Sequence, residues 1–261
     1  MHDLAAGAGH SCPECGGLIR AGAQFCSSCG CGIGVAVVPA RARRAASESR
    51  FAARWSDLKQ TVWLFGLLLL SSLVFGFVFR VDSSPWTDVV FSGADAAIVL
   101  VFVAGHLREL RPLLTVPRPD PRTALGLGVV ALLFLGAMTG YFNLLEHIGV
   151  PVAQMSKTYV RAGWPVWAMV LLISVTPAVF EELAFRGVIQ SNLERVLGRR
   201  EAWLIQAAFF SVLHLTPLAF PSHFVMGLCF GYMRTRSRSL YPGMLLHAAW
   251  NALVLFGELH S

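Results

Sequence analysis

Long runs without a charged residue constrain this chain more than any other feature of its sequence. Residues 61–79, 123–145 and 162–180 contain no Lys, Arg, Asp or Glu, and each run can cross a bilayer as a helix of about 20 residues. Only 14% of the 261 residues are charged, whereas soluble domains are about 25% charged. A single water-soluble globule is therefore excluded, as are collagen-like and disordered chains.

Three further apolar segments complete the pattern. Residues 89–107 carry only one Asp and one His, and residues 240–257 contain a single His. Residues 202–233 have no charged residue and are broken by Pro217 and Pro221. This segment is too long for one span, so it predicts two short helices joined by a tight turn. The predicted fold class is all-α, a multispan transmembrane helical bundle of about seven spans.

The basic residues predict the orientation of this bundle. Seventeen of the 21 Lys and Arg residues lie on one predicted side, within 20–59, 108–122, 195–200 and 234–238, and the other side holds Arg80, Lys157 and Arg161. Because cytoplasmic loops are enriched in Lys and Arg, the amino terminus is predicted to be cytoplasmic and the carboxyl terminus outside. The Ala- and Arg-rich composition favours a prokaryotic plasma membrane. The net charge of +6 then reflects topology, and no nucleic-acid partner is expected.

Residues 1–34 differ from the rest because they contain five of the six cysteines and no apolar run. Two Cys-x-x-Cys knuckles, each followed by glycine, are formed by Cys12, Cys15, Cys26 and Cys29. Four thiolates in tetrahedral geometry make a closed structural zinc site, and the pattern resembles the short zinc-ribbon modules fused to many prokaryotic proteins. Two disulfides in an exported domain are the alternative, disfavoured because no signal peptide precedes the cysteines. Cys31 and Cys229 are interpreted as bystanders.

Residues 35–60 connect the ribbon to the apolar part and are rich in Arg, Ala and Ser. A helix from about Ala45 would place Phe51 and Trp55, four residues apart, on one face. Such a basic helix suits anionic lipid headgroups, and a plain solvated tether is an equal alternative. The predicted organisation is a zinc ribbon at 1–34, a basic linker at 35–60 and a transmembrane domain at 61–261.

Polar side chains inside apolar segments mark the candidate functional site, because an unpaired ionisable group costs several kcal/mol at membrane depth. Those in the last third of the chain are Glu181, Glu182, Arg186, His214, His247 and Asn251. On a helix, Glu182 and Arg186 are spaced for an ion pair, and His247 and Asn251 share one face. Glu181 lies about 100° round the helix from Glu182 and can face another direction.

The order of these residues resembles one known family. The motifs Glu-Glu-x-x-x-Arg, Phe-x-x-x-His and His-x-x-x-Asn occur in sequence at 181–186, 210–214 and 247–251. This arrangement resembles the CPBP family, which contains CAAX prenyl endopeptidases and bacteriocin-immunity-type proteins and is also called the Abi family. The resemblance implies an α-helical intramembrane endopeptidase. It also implies that Glu181 and His214 activate the hydrolytic water, and that His247 and Asn251 stabilise the oxyanion.

The same side chains permit other chemistry. Glu181, His214 and His247 can instead hold a catalytic Zn²⁺ with an open position for water, and family members have been described both as metalloproteases and as glutamate-dependent enzymes. Asp95, in the second predicted span, is a candidate partner for Arg186 or for the catalytic groups. The remaining histidines, including His223, are interpreted as structural.

The predicted function is hydrolysis of a peptide bond in a membrane-associated protein or peptide. The predicted partners are the lipid bilayer, this substrate and a possible cytoplasmic partner of the zinc ribbon. One alternative is a non-catalytic membrane scaffold or regulator that recruits partners through the ribbon. A transporter or proton relay built on the same polar residues is the other.

Overall fold

The structure, a computed structural model, describes residues 10–12, 14–19, 23–32, 40–81, 84–150 and 154–260. The chain divides into two compact units, Met1–Ala53 and Arg54–Ser261. The first part of the predicted linker, residues 35–39, lies outside the described residues.

The amino-terminal unit is built on two short strands. Strand β1 (His10–Ser11) pairs antiparallel with β2 (Leu18–Ile19). Its small core contains Cys12, Ile19 and Cys26. A core of this size contributes little to the stability of the unit by itself. Cross-links through the cysteines, by disulfides or by a bound metal ion, are expected to supply the rest.

Helices form almost all of the rest of the described chain. They are α1 (Ala40–Val81), α2 (Pro85–Gly105), α3 (Leu107–Leu110) with a 3-10 turn at Arg111–Leu114, α4 (Pro121–His147), α5 (Ser156–Arg161), α6 (Val166–Val196), α7 (Arg199–Leu213), α8 (Phe220–Ser237) and α9 (Tyr241–His260). The predicted all-α class is confirmed. Because α1 begins at Ala40, the described part of the basic linker is helical from five residues before the expected start.

Four described segments are long and apolar enough to cross a membrane: Phe51–Phe79, Pro85–Gly105, Pro121–His147 and Val166–Val196. Large apolar side chains such as Val101 and Leu132 are more than 70% exposed on these helices, as expected where lipid replaces water as the solvent. Helices α7 and α8 form the proline-broken hairpin that the sequence predicts. The total of seven spans stays a prediction.

Local signals explain where the membrane helices begin. Asp120 caps α4 by accepting hydrogen bonds from the backbone N–H groups of Arg122 and Thr123, both at 3.1 Å. Ser84 caps α2 in the same way through Trp86 N–H. Each cap is followed by a proline at the first helical position, where its fixed φ suits the helix and its missing N–H costs nothing.

Helix α6 is the central element of the bundle. Half of the residues in its most apolar window are buried inside the protein, against 11–17% for the other three candidate spans. Two π-helical segments, Val170–Val175 and Leu183–Ile189, interrupt its α-helical winding. Such segments are rare and occur frequently at functional sites. The second one follows Glu182 directly, so the wide turn lies beside the candidate catalytic carboxylates.

Candidate active site

A buried ion pair forms the innermost layer of the site. Arg186 Nη1 lies 2.8 Å from Glu182 Oε1, and both side chains are buried. The guanidinium lies between two aromatic rings, with Arg186 Cζ 4.3 Å from the centre of Phe210 and 5.2 Å from that of Phe230. A buried cation is tolerated when it is both paired and placed against aromatic faces. The ion pair expected from the four-residue spacing is therefore present.

His247 of α9 lies between the two glutamates. Its Nε2 is 3.8 Å from Glu181 Oε2, and its Nδ1 is 3.5 Å from Glu182 Oε1. The helical spacing allows Glu181 to face away from Glu182, but the structure places both carboxylates against one imidazole. Glu182 is held close to α9 because Gly243 leaves space there; a Cβ at Gly243 would lie 2.8 Å from Glu182 Oε2.

His214 ends α7 with its imidazole fixed by the backbone. Its Nδ1 is 2.9 Å from the carbonyl oxygen of Phe210. A ring nitrogen bonded to a carbonyl must carry the proton, so the lone pair of neutral His214 is on Nε2. The Phe210 ring is 5.0 Å from the ring of His214 and 6.0 Å from that of His247. Phe210 thus contacts residues of all three motifs.

His223, interpreted from the sequence as structural, lies against His214. The two ring centres are 3.7 Å apart with an interplanar angle of 39°, and His223 Nδ1 is 2.8 Å from the carbonyl oxygen of Ala219. His223 therefore presents the same tautomer as His214. The only signal in the sequence is indirect: a turn between Pro217 and Pro221 brings residues on either side of it together.

Asn251 is fixed one turn beyond His247. Its Nδ2 donates to the carbonyl oxygen of Ile173 at 3.3 Å, within the first π segment of α6. An amide nitrogen carries two hydrogens, so one N–H holds the side chain in place and the second remains available. Glu181, His214, His223 and Asn251 are all partly exposed, whereas Glu182, Arg186 and His247 are buried.

Residues 163–253 match the family model described as "Type II CAAX prenyl endopeptidase Rce1-like". This segment contains all six predicted site residues. This match supports the resemblance of the three motifs to the CPBP family of CAAX proteases. No curated protein and no solved structure matches the chain. The family match and the four candidate membrane spans together support an integral membrane protein.

Among the described residues, Arg186 forms its ion pair with Glu182 and not with Asp95. Asp95 lines a cavity of about 110 Å³ between α1 and α2. The other lining residues are Ser72, Phe75, Asp88, Phe91 and Ser92. The suggested pairing of Asp95 with Arg186 is therefore wrong, and an interaction of Asp95 with the catalytic groups stays a prediction.

The ribbon cysteines form the single group of three or more metal-ligand side chains within the described ranges. The Sγ atoms of Cys12, Cys26, Cys29 and Cys31 lie within 4.8 Å of one another. Cys31, interpreted from the sequence as a bystander, is therefore part of the group. Cys15, predicted as a ligand, lies at its edge with its Sγ 3.7 Å from that of Cys26.

The close approach of two thiols in this cluster lowers the pKa of one of them. The Cys31 thiol, with its Sγ 3.0 Å from that of Cys12, is the largest of the causes that lower the pKa of Cys12 to about 6. A thiolate is the form that binds metal ions, and thiolates suit a soft divalent ion. Glu181, His214 and His247 do not form such a group of metal-ligand side chains.

Proposed function

We propose that this protein is an intramembrane endopeptidase that cleaves a membrane-associated protein or peptide. The observation that carries the proposal is the position of His247 between Glu181 and Glu182, with Phe210 joining it to His214. Amide hydrolysis needs a base for water and donors for the developing oxyanion, and residues of both types face one another here.

Glu181 and His214 are the groups that activate water. The Glu181 side chain is 26% exposed, but its Oε2 is buried and has no hydrogen-bond partner among the described residues. Because a buried carboxylate oxygen normally has a partner, the free acceptor at Oε2 suits a bound water. His214 offers the lone pair of Nε2, because its Nδ1 is engaged by Phe210. A water between these groups loses its proton to Glu181 and attacks the scissile carbonyl carbon.

His247 and Asn251 are the groups that stabilise the tetrahedral oxyanion. Both project from one face of α9, four residues apart, and each offers N–H donors. The Ile173 carbonyl holds the Asn251 amide in a single orientation, and preorganised donors lower the barrier without reorganisation at the moment of reaction. The collapsing intermediate then returns the proton from Glu181 to the leaving amine, which completes the hydrolysis.

The donor spacing supports glutamate-activated water over a catalytic metal. A tetrahedral zinc site with bonds of about 2.0–2.2 Å to N and O brings its ligand atoms to within about 3.5 Å of one another. Glu181 and His247 approach that separation, but His214 does not complete a group of three with them. Zinc is proposed for the ribbon alone, where four thiolates are the donor set that structural zinc sites use.

The proposal is tested by comparing membranes that contain the wild-type protein, Glu181→Ala or Glu146→Ala. Glu146 is an exposed residue at the end of α4, so its substitution removes a carboxylate away from the site. Quantitative mass spectrometry should show precursors that accumulate with Glu181→Ala, and the new amino termini of their cleavage products should be found only in the other two samples. Identical profiles in all three samples, with equal protein levels, would contradict proteolysis.

A scaffold is the second candidate, and one observation favours it. Leu18 and Phe25 of the ribbon are 77% and 64% exposed, and apolar side chains on so small a unit are suited to binding another protein. For a scaffold, Glu181→Ala would leave the profile of amino termini unchanged. If the protein is a scaffold, the double variant Leu18→Ser/Phe25→Ser would abolish its effect on the cell. If the protein is an enzyme, the same variant would still yield its cleavage products.

A further inference from the structure

The cysteine cluster of the ribbon contains one thiol more than a tetrahedral metal site uses. Structural zinc sites take four ligands. Five cysteines lie at this cluster: Cys12, Cys15, Cys26, Cys29 and Cys31. The distances between their sulfur atoms distinguish which of them suit one metal ion.

Two of these distances fit the edge of a zinc tetrahedron, and one does not. Zn–S bonds of about 2.3 Å place the sulfurs of a tetrahedral site about 3.8 Å apart. Cys12 and Cys29 are separated by 3.7 Å, as are Cys15 and Cys26. Cys12 and Cys31 are only 3.0 Å apart. That is too close for two ligands of one zinc ion, and about 1 Å longer than the 2.05 Å of a disulfide.

The backbone shows why Cys31 reaches Cys12. Each knuckle closes in the same way: Cys12 N donates to Gly17 O, and Cys26 N donates to Cys31 O, both at 2.8 Å. Cys31 therefore occupies the position in the second knuckle that Gly17 occupies in the first. At Gly17 a side chain is excluded, since a Cβ would lie 2.7 Å from Ser28 Oγ. At the matching position of the second knuckle the chain carries a thiol.

Solvent access differs between the two sulfurs. Cys12 is 3% exposed and Cys31 is partly exposed. An oxidant from solution therefore meets Cys31 first, with a second sulfur already at 3.0 Å. Cys12 and Cys31 belong to different knuckles, and their sulfur atoms are closer to each other than those of Cys12 and Cys29 or of Cys15 and Cys26. This distance specifies the pair that forms the disulfide.

We propose that Cys12 and Cys31 form a disulfide on exposure to peroxide, and that this disulfide releases the metal ion of the ribbon. The Cys31 thiol attacks the peroxide O–O bond and becomes a sulfenic acid, and its proton leaves with the displaced oxygen as one water. The Cys12 thiolate then attacks the Cys31 sulfur, the S–O bond breaks, and the departing hydroxide takes a proton from solvent to become a second water. The thiol and the thiolate lose two electrons in total, and hydrogen peroxide is reduced to two waters. Cys12 is thereby lost as a thiolate ligand, so the metal ion no longer has its full set of four ligands.

This proposal rests on the metal site proposed above, so the experiment measures the two separately. The full chain is purified in detergent, its zinc content is measured, and peroxide is added in the presence of a chromogenic zinc indicator. The disulfides are mapped by mass spectrometry of a non-reducing digest. The wild-type protein should release its zinc and yield a linked Cys12–Cys31 peptide, and a reductant with added zinc should restore the starting state.

Two variants serve as controls. Cys31→Ser removes the partner thiol and should retain its zinc at the same peroxide concentration, whereas Cys229→Ser, which removes the thiol of α8 outside the ribbon, should behave as the wild type. Equal zinc release from Cys31→Ser, or a disulfide that joins any other pair, would overturn the proposal. A protein that carries no metal before peroxide is added would overturn the metal site itself.

Discussion

Arg186 shows how strongly single residues determine this site. Its guanidinium is buried and is surrounded by the Glu182 carboxylate, the faces of Phe210 and Phe230, and the carbonyl oxygen of Met226, to which Nη2 donates at 3.5 Å. Removing one member of a buried pair leaves an uncompensated charge, which costs about 3–5 kcal/mol. Glu181 lies outside this ion pair, so its replacement leaves Arg186 paired with Glu182. The two adjacent glutamates therefore have separable roles.

Arg186→Met is expected to destabilise the protein by about 3–5 kcal/mol, because Glu182 is then charged and unpaired. The measurement is the apparent melting temperature in detergent, followed by the loss of monomer in size-exclusion chromatography. Arg186→Met/Glu182→Gln should recover much of the loss, since it buries no unpaired charge. If the double variant were as unstable as the single one, the ion pair would not be the cause.

His223 is expected to act by packing its ring against His214, without a chemical role for its ring nitrogens. His223→Phe keeps a flat ring against His214 and should retain most of the cleavage activity. His223→Ala removes the ring that packs against His214 and leaves its hydrogen bond to the Phe210 carbonyl as the remaining restraint. It should lower cleavage by about tenfold, as misplacement of a catalytic group does. The readout is the ratio of cleaved to uncleaved substrate found in the membrane comparison. Equal loss in both variants would instead assign a chemical role to an imidazole nitrogen of His223.

At the scale of elements, the α7–α8 hairpin is what carries His214 to the site. The two helices approach so closely that a Cβ at Gly227 would lie 2.6 Å from the Cα of Ala207. In membrane bundles, small residues permit such contacts, and van der Waals packing supplies much of the association. The position of His214 depends on this approach, because the turn that holds it joins the two helices.

Gly227→Ala is therefore expected to destabilise the protein by about 1–3 kcal/mol through overpacking. Gly126→Ala is the matched control, because nothing lies within 4 Å of a Cβ at that helical position. It should leave stability unchanged or raise it by up to about 1 kcal/mol, since alanine favours the helix. Apparent melting temperatures of the two variants test this, and equal values would contradict close packing at Gly227.

The features that follow from sequence are those encoded along one helix. The pairing of Glu182 with Arg186 follows from the four-residue spacing, and the hairpin follows from Pro217 and Pro221. Contacts between elements do not follow in this way. The stacking of His223 on His214 requires the turn geometry, and the approach of both glutamates to His247 requires the packing of α9 against α6. The position of Cys31 depends similarly on how two knuckles face each other.

For the whole molecule, the distribution of basic residues predicts which end faces the cytoplasm. Green fluorescent protein fused to the amino terminus should fluoresce, because it folds in the cytoplasm. Alkaline phosphatase fused after residue 261 should be active, because it requires an oxidising compartment outside the membrane. A fluorescent carboxyl-terminal fusion would contradict the predicted orientation and would place an even number of spans in the bundle.

The ion pair on α6 also bears on how the bundle is assembled during synthesis. Glu182 and Arg186 belong to the same helix, so α6 carries a neutralised pair when it enters the membrane, before α7 and α8 pack against it. Insertion of an isolated arginine is costly, and a partner on the same helix lowers this cost without any help from later segments. The rings of Phe210 and Phe230 arrive afterwards and complete the enclosure of the guanidinium. The site is thus closed by the last helices to be made, and a chain interrupted before α8 would insert stably but lack an assembled centre.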